Sequence, residues 1–225
     1  MRRKTALSAI VGSAIVLLAG CSGSSGGTYA PHIDPADFTT TIDNKYFPLK
    51  PGTAFVYEGN TERDVMTVTH DTKQIMGVKC VVVDDRATQN GELIEGTFDW
   101  YAQDKEGKVW YFGEDTKEYK NGKVTSTEGS WEAGVNGAKP GIIMQAHPKV
   151  GQSYRQEYYK GHAEDMAKVI SLNDSIKVPY GSFDHVLVTK EWTPLEPGYV
   201  EHKYYAPRVG QVYGGGSHLV EVKTE

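Results

Sequence analysis

Cysteine is nearly absent from this chain, which removes any disulfide framework. Only Cys21 and Cys80 occur in 225 residues. Cys21 stands directly behind an apolar N-terminal run, so no internal pair is expected and the hydrophobic core must hold the fold. Cys80 lies in VKCVVV and reads as a small buried hydrophobe. Positive charge is scarce as well. Arg2, Arg3 and Lys4 are the only charges in the first twenty residues, so the formal charge of −5 for the whole chain deepens by those three to −8 beyond them. An acidic chain without a basic cluster excludes nucleic acid as a partner and argues against adhesion to anionic lipid.

Familiar catalytic and metal-binding patterns are missing too. The seven histidines, His32, His70, His147, His162, His185, His202 and His218, include no H-x-H pair and no H-E-x-x-H. No metal site is expected, and no cofactor. There is no G-x-S-x-G elbow, and Cys80 has no positive partner nearby in sequence. The glycines at 214–216 follow a strand but open no helix, so they form no phosphate loop. Asp84-Asp85 and Glu164-Asp165 are paired carboxylates, yet neighbours on a strand point to opposite faces. No segment carries a helical stripe; strands and turns dominate.

What is present begins with an address. Arg2-Arg3-Lys4 followed by ALSAIVGSAIVLLAG has the charged and apolar regions of a secretory signal over residues 1–20. It is too short to be a convincing permanent span. Leu18-Ala19-Gly20-Cys21 resembles the lipobox of bacterial lipoproteins. That resemblance implies that Cys21 is acylated, through palmitate-type chains, and becomes the first residue of an extracytoplasmic, membrane-anchored protein. Residues 21–45, rich in Ser, Gly and Pro, are expected to be a flexible tether.

Beyond the tether the chain repeats itself at a spacing of about one hundred residues. PLKPGTAFVYEGNTERD is echoed by HPKVGQSYRQEYYKGHAEDM, which aligns Tyr57, Gly59 and Glu62 with Tyr159, Gly161 and Glu164. Val81 then aligns with Val186, Val83 with Val188, and Tyr101-Ala102 with Tyr205-Ala206. Within each unit QNGE, KNGK and similar punctuation mark hairpins between Val-, Thr- and Tyr-rich runs. A meander of this kind cannot bury its apolar face alone. The expected fold is therefore all-β: an antiparallel meander duplicated, over residues 46–115 and 146–216, into one barrel or sandwich-like domain (46–225) with internal pseudo-twofold symmetry. Phrases such as YFPLKPGTAFVYEG and YYAPRVGQV resemble those of uncharacterised secreted bacterial β-proteins, a likeness that implies the fold and no activity.

Between the units lies a connection, residues 116–145, with neither helical nor strand spacing in GSWEAGVNGAKPGIIMQAHPKVG. It is expected to be a long loop covering a barrel mouth or groove, with Trp131 and Met144 buried against the domain. Fourteen Tyr and four Trp supply amphipathic walls. Tyr101, Trp131, Met144, Glu164 and Tyr205 are the candidate ligand-binding residues. The expected function is a lipid-anchored binding or envelope-maintenance protein, leaning away from an enzyme, whose partners are the membrane and an amphipathic small molecule or envelope protein. A hydrolase with a site near residues 129–147, or a protein-interaction module, are the alternatives.

Overall fold

The computed structural model describes residues 29–225; the leader and Cys21 lie outside the described residues. Regular structure among the described residues is strand, apart from one 3₁₀ turn at Pro35–Asp37, where the Asp34 side chain accepts from the Ala36 N–H. In chain order the strands are β1 (Phe38–Thr39), β2 (Thr53–Gly59), β3 (Glu62–Ile75), β4 (Val78–Gln89), β5 (Glu92–Asp104), β6 (Val109–Lys120), β7 (Lys123–Ser126) and β8 (Trp131–Glu132). They continue as β9 (Lys139–Met144), β10 (Ser153–Arg155), β11 (Glu157–Tyr158), β12 (Met166–Val178), β13 (Gly181–Trp192), β14 (Glu201–Ala206), β15 (Gly210–Gly214) and β16 (Ser217–Thr224).

The strands pair in the order β10-β12-β13-β14-β15-β16-β2-β3-β4-β5-β6-β9-β11, with β1 on β5 and both β7 and β8 on β6. The two ends of that order are neighbours in the chain. Ser153–Arg155 pairs with β12, and Glu157–Tyr158 immediately afterwards pairs with β9. One short segment thus bridges both ends, and the antiparallel sheet nearly closes into a barrel. Closure hides edges that would otherwise recruit other strands.

Local chemistry follows the expected period of two. Along β4 the buried positions Val81, Val83, Asp85 and Ala87 alternate with half-buried ones. The hairpin tips use Asn90-Gly91 and Asn121-Gly122 at positive φ, the backbone that Asn-Gly tolerates in a type I′ turn. Register shifts recur where long strands must bend, as between Val68 and Thr72 on β3.

Two expectations are corrected. Residues 29–45 are not a free tether: β1 pairs with the end of β5, Ile42 is buried and bridged to Leu49, and the Tyr29 hydroxyl donates to the Pro140 carbonyl. Phe38 packs edge-on against Phe112, which gives this segment apolar area that its Ser/Gly-rich start lacks. The 116–145 connection is not an irregular loop either. It folds back as β7, β8 and β9 along the free side of β6. Glycine makes that approach possible. A Cβ on Gly113 would stand 2.2 Å from the Trp131 carbonyl oxygen, and one on Gly141 would stand 2.1 Å from that of Gln156. Strand pairing governed by close backbone contact leaves no alternating pattern to read.

The meanders β2–β6 and β10-β12-β13-β14-β15 run through the sheet in the same sequential order. Tyr101 pairs with Tyr111 beside a register shift at Trp100, and Tyr205 pairs with Gln211 beside one at Tyr204. The ladder also re-registers one alignment. Val81 faces Tyr101 while Leu187, not Val186, faces Tyr205, so Val81 corresponds to Leu187. A one-residue slip of this sort inverts which side chains enter the interior. Gly59 and Gly161 differ: Gly59 is pressed against the Gly216 carbonyl, whereas Gly161 is an open turn residue at φ 77.

Candidate functional site

The interior joins three of the five candidate residues in one aromatic chain. Trp131 meets Tyr111 edge-on at 5.4 Å, Tyr111 stacks on Tyr101 at 4.8 Å, Tyr101 meets Phe47 at 5.4 Å, and Phe47 meets Tyr205 at 6.5 Å. All five rings are buried. Met144 is fully buried opposite Val109 on the β6–β9 ladder. Glu164 stands apart. It accepts the Gly161 N–H at 2.8 Å and lies 3.9 Å from the Arg155 guanidinium.

Around this chain lie two polar centres that sequence patterning did not single out. The first is acidic. Asp64 on β3 and Asp85 on β4 share a hydrogen bond, which two carboxyls can do only if one keeps its proton. Burial, and then the charge of Asp64, hold Asp85 well above the usual carboxylate range. Asp99 on β5 accepts from the Tyr111 hydroxyl at 2.5 Å, and Glu114 on β6 accepts from the same hydroxyl at 3.1 Å. Burial pushes Asp99 up to about 6, against the lowering effect of Tyr111. Burial also drives Glu114 well up, with Glu157 and Asp99 adding repulsion.

The second centre is an ion pair. Lys203 Nζ on β14 lies 2.9 Å from Glu191 Oε2 on β13. Glu191 Oε1 accepts from Thr189, Gln156 and Tyr205. Burial pushes Glu191 up, but Lys203 and those donors prevail and lower it overall. Lys203 is pushed down by burial and more than recovered by Glu191 and Glu201. Every acceptor on the carboxylate is used, so a buried charge persists here without a proton.

Access differs within the acidic centre: Glu114 also lines the open groove beneath the connection, whereas Asp64 and Asp85 face a much smaller space. Tyr57, Asp64, Asp85, Gln211 and Ser217 line a small, partly open cavity of about 60 Å³. It is large enough for a few waters and far below the about 300–1,000 Å³ of small-molecule sites. Cys80 is fully buried, and burial pushes its thiol up to about 12, which makes it an inert core residue. No group of three or more His, Cys, Asp or Glu side chains among the described residues is arranged to hold a metal ion.

The roomier concavities are open to solvent. One, of about 420 Å³, lies beneath the connection and is lined by Lys73, Trp100, Trp131, Glu132, Val135 and Tyr159, among others. Lys73 Nζ sits 3.4 Å over the Trp100 ring and 2.7 Å from Glu132 Oε2, so cation, carboxylate and indole are held together at the rim. Trp131 Nε1 is buried with no hydrogen-bond partner. Of the candidate residues, only Trp131 reaches this groove. Trp100, Lys73 and Glu132 carried no sequence signal beyond their strands, because they meet through register and not through spacing.

No family model matches the chain, and no curated protein does. Among solved structures it is similar to a protein of Parabacteroides distasonis ATCC 8503 provisionally described as a lipoprotein. The identity is 13%, the match covers 80% of this chain and 99% of that one, and the TM-score is 0.42. A likeness at that level carries no function from one protein to the other.

Proposed function

We propose that this chain is a lipid-anchored extracytoplasmic binding protein that takes an amphipathic small molecule in the groove beneath the 129–145 connection. The lipobox Leu18-Ala19-Gly20-Cys21 supports the anchor. The groove supports the binding role: indole surface for an apolar body lies beside a lysine and a carboxylate for polar ends. That juxtaposition is the observation on which the reading rests. Of the interior acids, Asp64 and Asp85 line only the small cavity, while Glu114 reaches this groove and adds a second carboxylate to its wall.

The anchor is tested by metabolic labelling with palmitate. Cys21→Ser is expected to abolish incorporation, and label retained in that variant refutes acylation at this site. The groove is tested by native mass spectrometry of the full chain purified from its own host, compared with Val135→Asp. Val135 is 47% exposed, so the change should leave the melting temperature nearly unaltered while lowering the fraction of protein that carries a retained molecule. Equal retention in both proteins would place any ligand elsewhere.

A further inference from the structure

A second concavity, remote from the connection, has a different chemistry. Its floor is made of two hairpin tips in contact. Gly59 at the end of β2 lies so close to the β15–β16 turn that a Cβ there would come within 2.4 Å of the Gly216 carbonyl oxygen. Asn60, Gly215 and Gly216 turn at positive φ, which leaves small residues and backbone polar groups along the bottom. On one side rise Tyr204 and Tyr213, edge-on at 5.5 Å, with His218 against Tyr213 at 4.8 Å. The segment before β14 adds Tyr199, 41% exposed, whose hydroxyl donates to Glu201 Oε2 at 3.0 Å. Across the floor stand Glu62 and Gln89, which face each other on the β3–β4 ladder. The groove so enclosed measures about 640 Å³, inside the about 300–1,000 Å³ range of small-molecule sites.

We infer that this groove binds a neutral oligosaccharide. A pyranose ring presents a C–H face and a rim of hydroxyls. Tyrosine rings suit the first, and carboxylate, amide and backbone groups suit the second. The walls divide in that way, with aromatic rings on one side and Glu62 and Gln89 on the other. A purely apolar ligand would displace water from the Gln89 amide and the backbone groups of the floor without replacing its hydrogen bonds, which is costly. A basic peptide is disfavoured because Glu201 is already engaged by the Tyr199 hydroxyl and raises the neighbouring Lys203. This site is independent of the groove beneath the connection, so either can fail alone.

The test is isothermal titration of the full chain, in a detergent without a sugar headgroup, with cellotriose, maltotriose and tri-N-acetylchitotriose. At least one is expected to bind, with little change between low and high salt. Tyr213→Ala and Tyr199→Ala are each expected to weaken binding about tenfold or more. Tyr199 is exposed, so its replacement should not disturb folding, and Gln89→Ala provides a second surface variant that should weaken binding without loss of stability. Val135→Asp should leave saccharide binding unchanged. The inference is overturned if none of the three sugars binds, if binding survives both tyrosine replacements, or if an oligolysine peptide binds more tightly in a salt-sensitive manner.

Discussion

At matching rungs of the two meanders, Val83 faces Asp99 and Asp85 faces Thr97, while Thr189 faces Lys203 and Glu191 faces Glu201. Asp85 and Asp99 of the first half therefore occupy the places that Glu191 and Lys203 occupy in the second. In the second half a lysine neutralises the buried carboxylate. In the first, no cation replaces Asp99, and protons together with the Tyr111 hydroxyl moderate the repulsion. The same backbone register thus accommodates two ways of burying an acid, and their pH dependences have opposite signs. Glu191 is lowered, so its contribution is present above its unfolded value of about 4.3 and is lost as pH falls. Asp85, Asp99 and Glu114 are raised, so their contribution is present below about 4 and is lost as pH rises through their folded values.

The comparison breaks most visibly at Lys203. Lys203→Met leaves Glu191 buried without its counter-charge, at an expected cost of about 3–5 kcal/mol in urea denaturation at pH 7. Combining it with Glu191→Leu should recover most of that loss, because an apolar pair of similar volume needs no neutralisation. Recovery of none of it would mean that the pair acts through packing and not through charge.

The acid half should respond to pH. Asp99 alone, pushed up to about 6, accounts for about 2–3 kcal/mol lost between pH 4 and the region above pH 6. Urea denaturation is therefore expected to give lower stability at pH 8 than at pH 5, and Asp99→Asn should flatten that slope. A slope of the opposite sign would contradict a protonated first half.

A smaller effect is expected at Asp85. Asp85→Asn keeps a hydrogen-bonding group beside Asp64 and removes a carboxyl that must hold a proton. The variant should be more stable than the parent by about 1–2 kcal/mol at pH 8 and within about 0.5 kcal/mol of it at pH 4. The smallest change belongs to Glu164, whose ion pair with Arg155 is long. Glu164→Ala is expected to cost about 0–1 kcal/mol, read as a shift of a few degrees or less in the melting temperature.

Much of the fold was legible in the chain. Asn-Gly tips, alternating Val- and Tyr-rich runs and the absence of a helical stripe specify antiparallel hairpins locally. The site was legible only in part. Trp131 and Met144 were correctly expected to be buried, since large apolar groups amid glycines must find cover. Tyr101, Tyr205 and Trp131 do converge through packed rings, and of the three only Trp131 also walls an open space; whether a ring lines a cavity or fills it depends on the volume between strands. Glu164 looked equivalent to Glu62 by spacing, yet it caps the Gly161 turn.

The chain by itself determined that strands form, where they turn and which residues leave water, because turn chemistry and period-two burial act over a few neighbours. Tertiary structure alone decided that β8 and β9 pair along β6, that the segment Ser153–Tyr158 bridges both ends of the sheet, and that Asp64, Asp85, Asp99 and Glu114 crowd one half while Lys203 meets Glu191 in the other. Those outcomes depend on ladder register and barrel closure. A shift of one residue exchanges inside for outside, so contacts between distant strands are fixed only when the whole sheet is assembled.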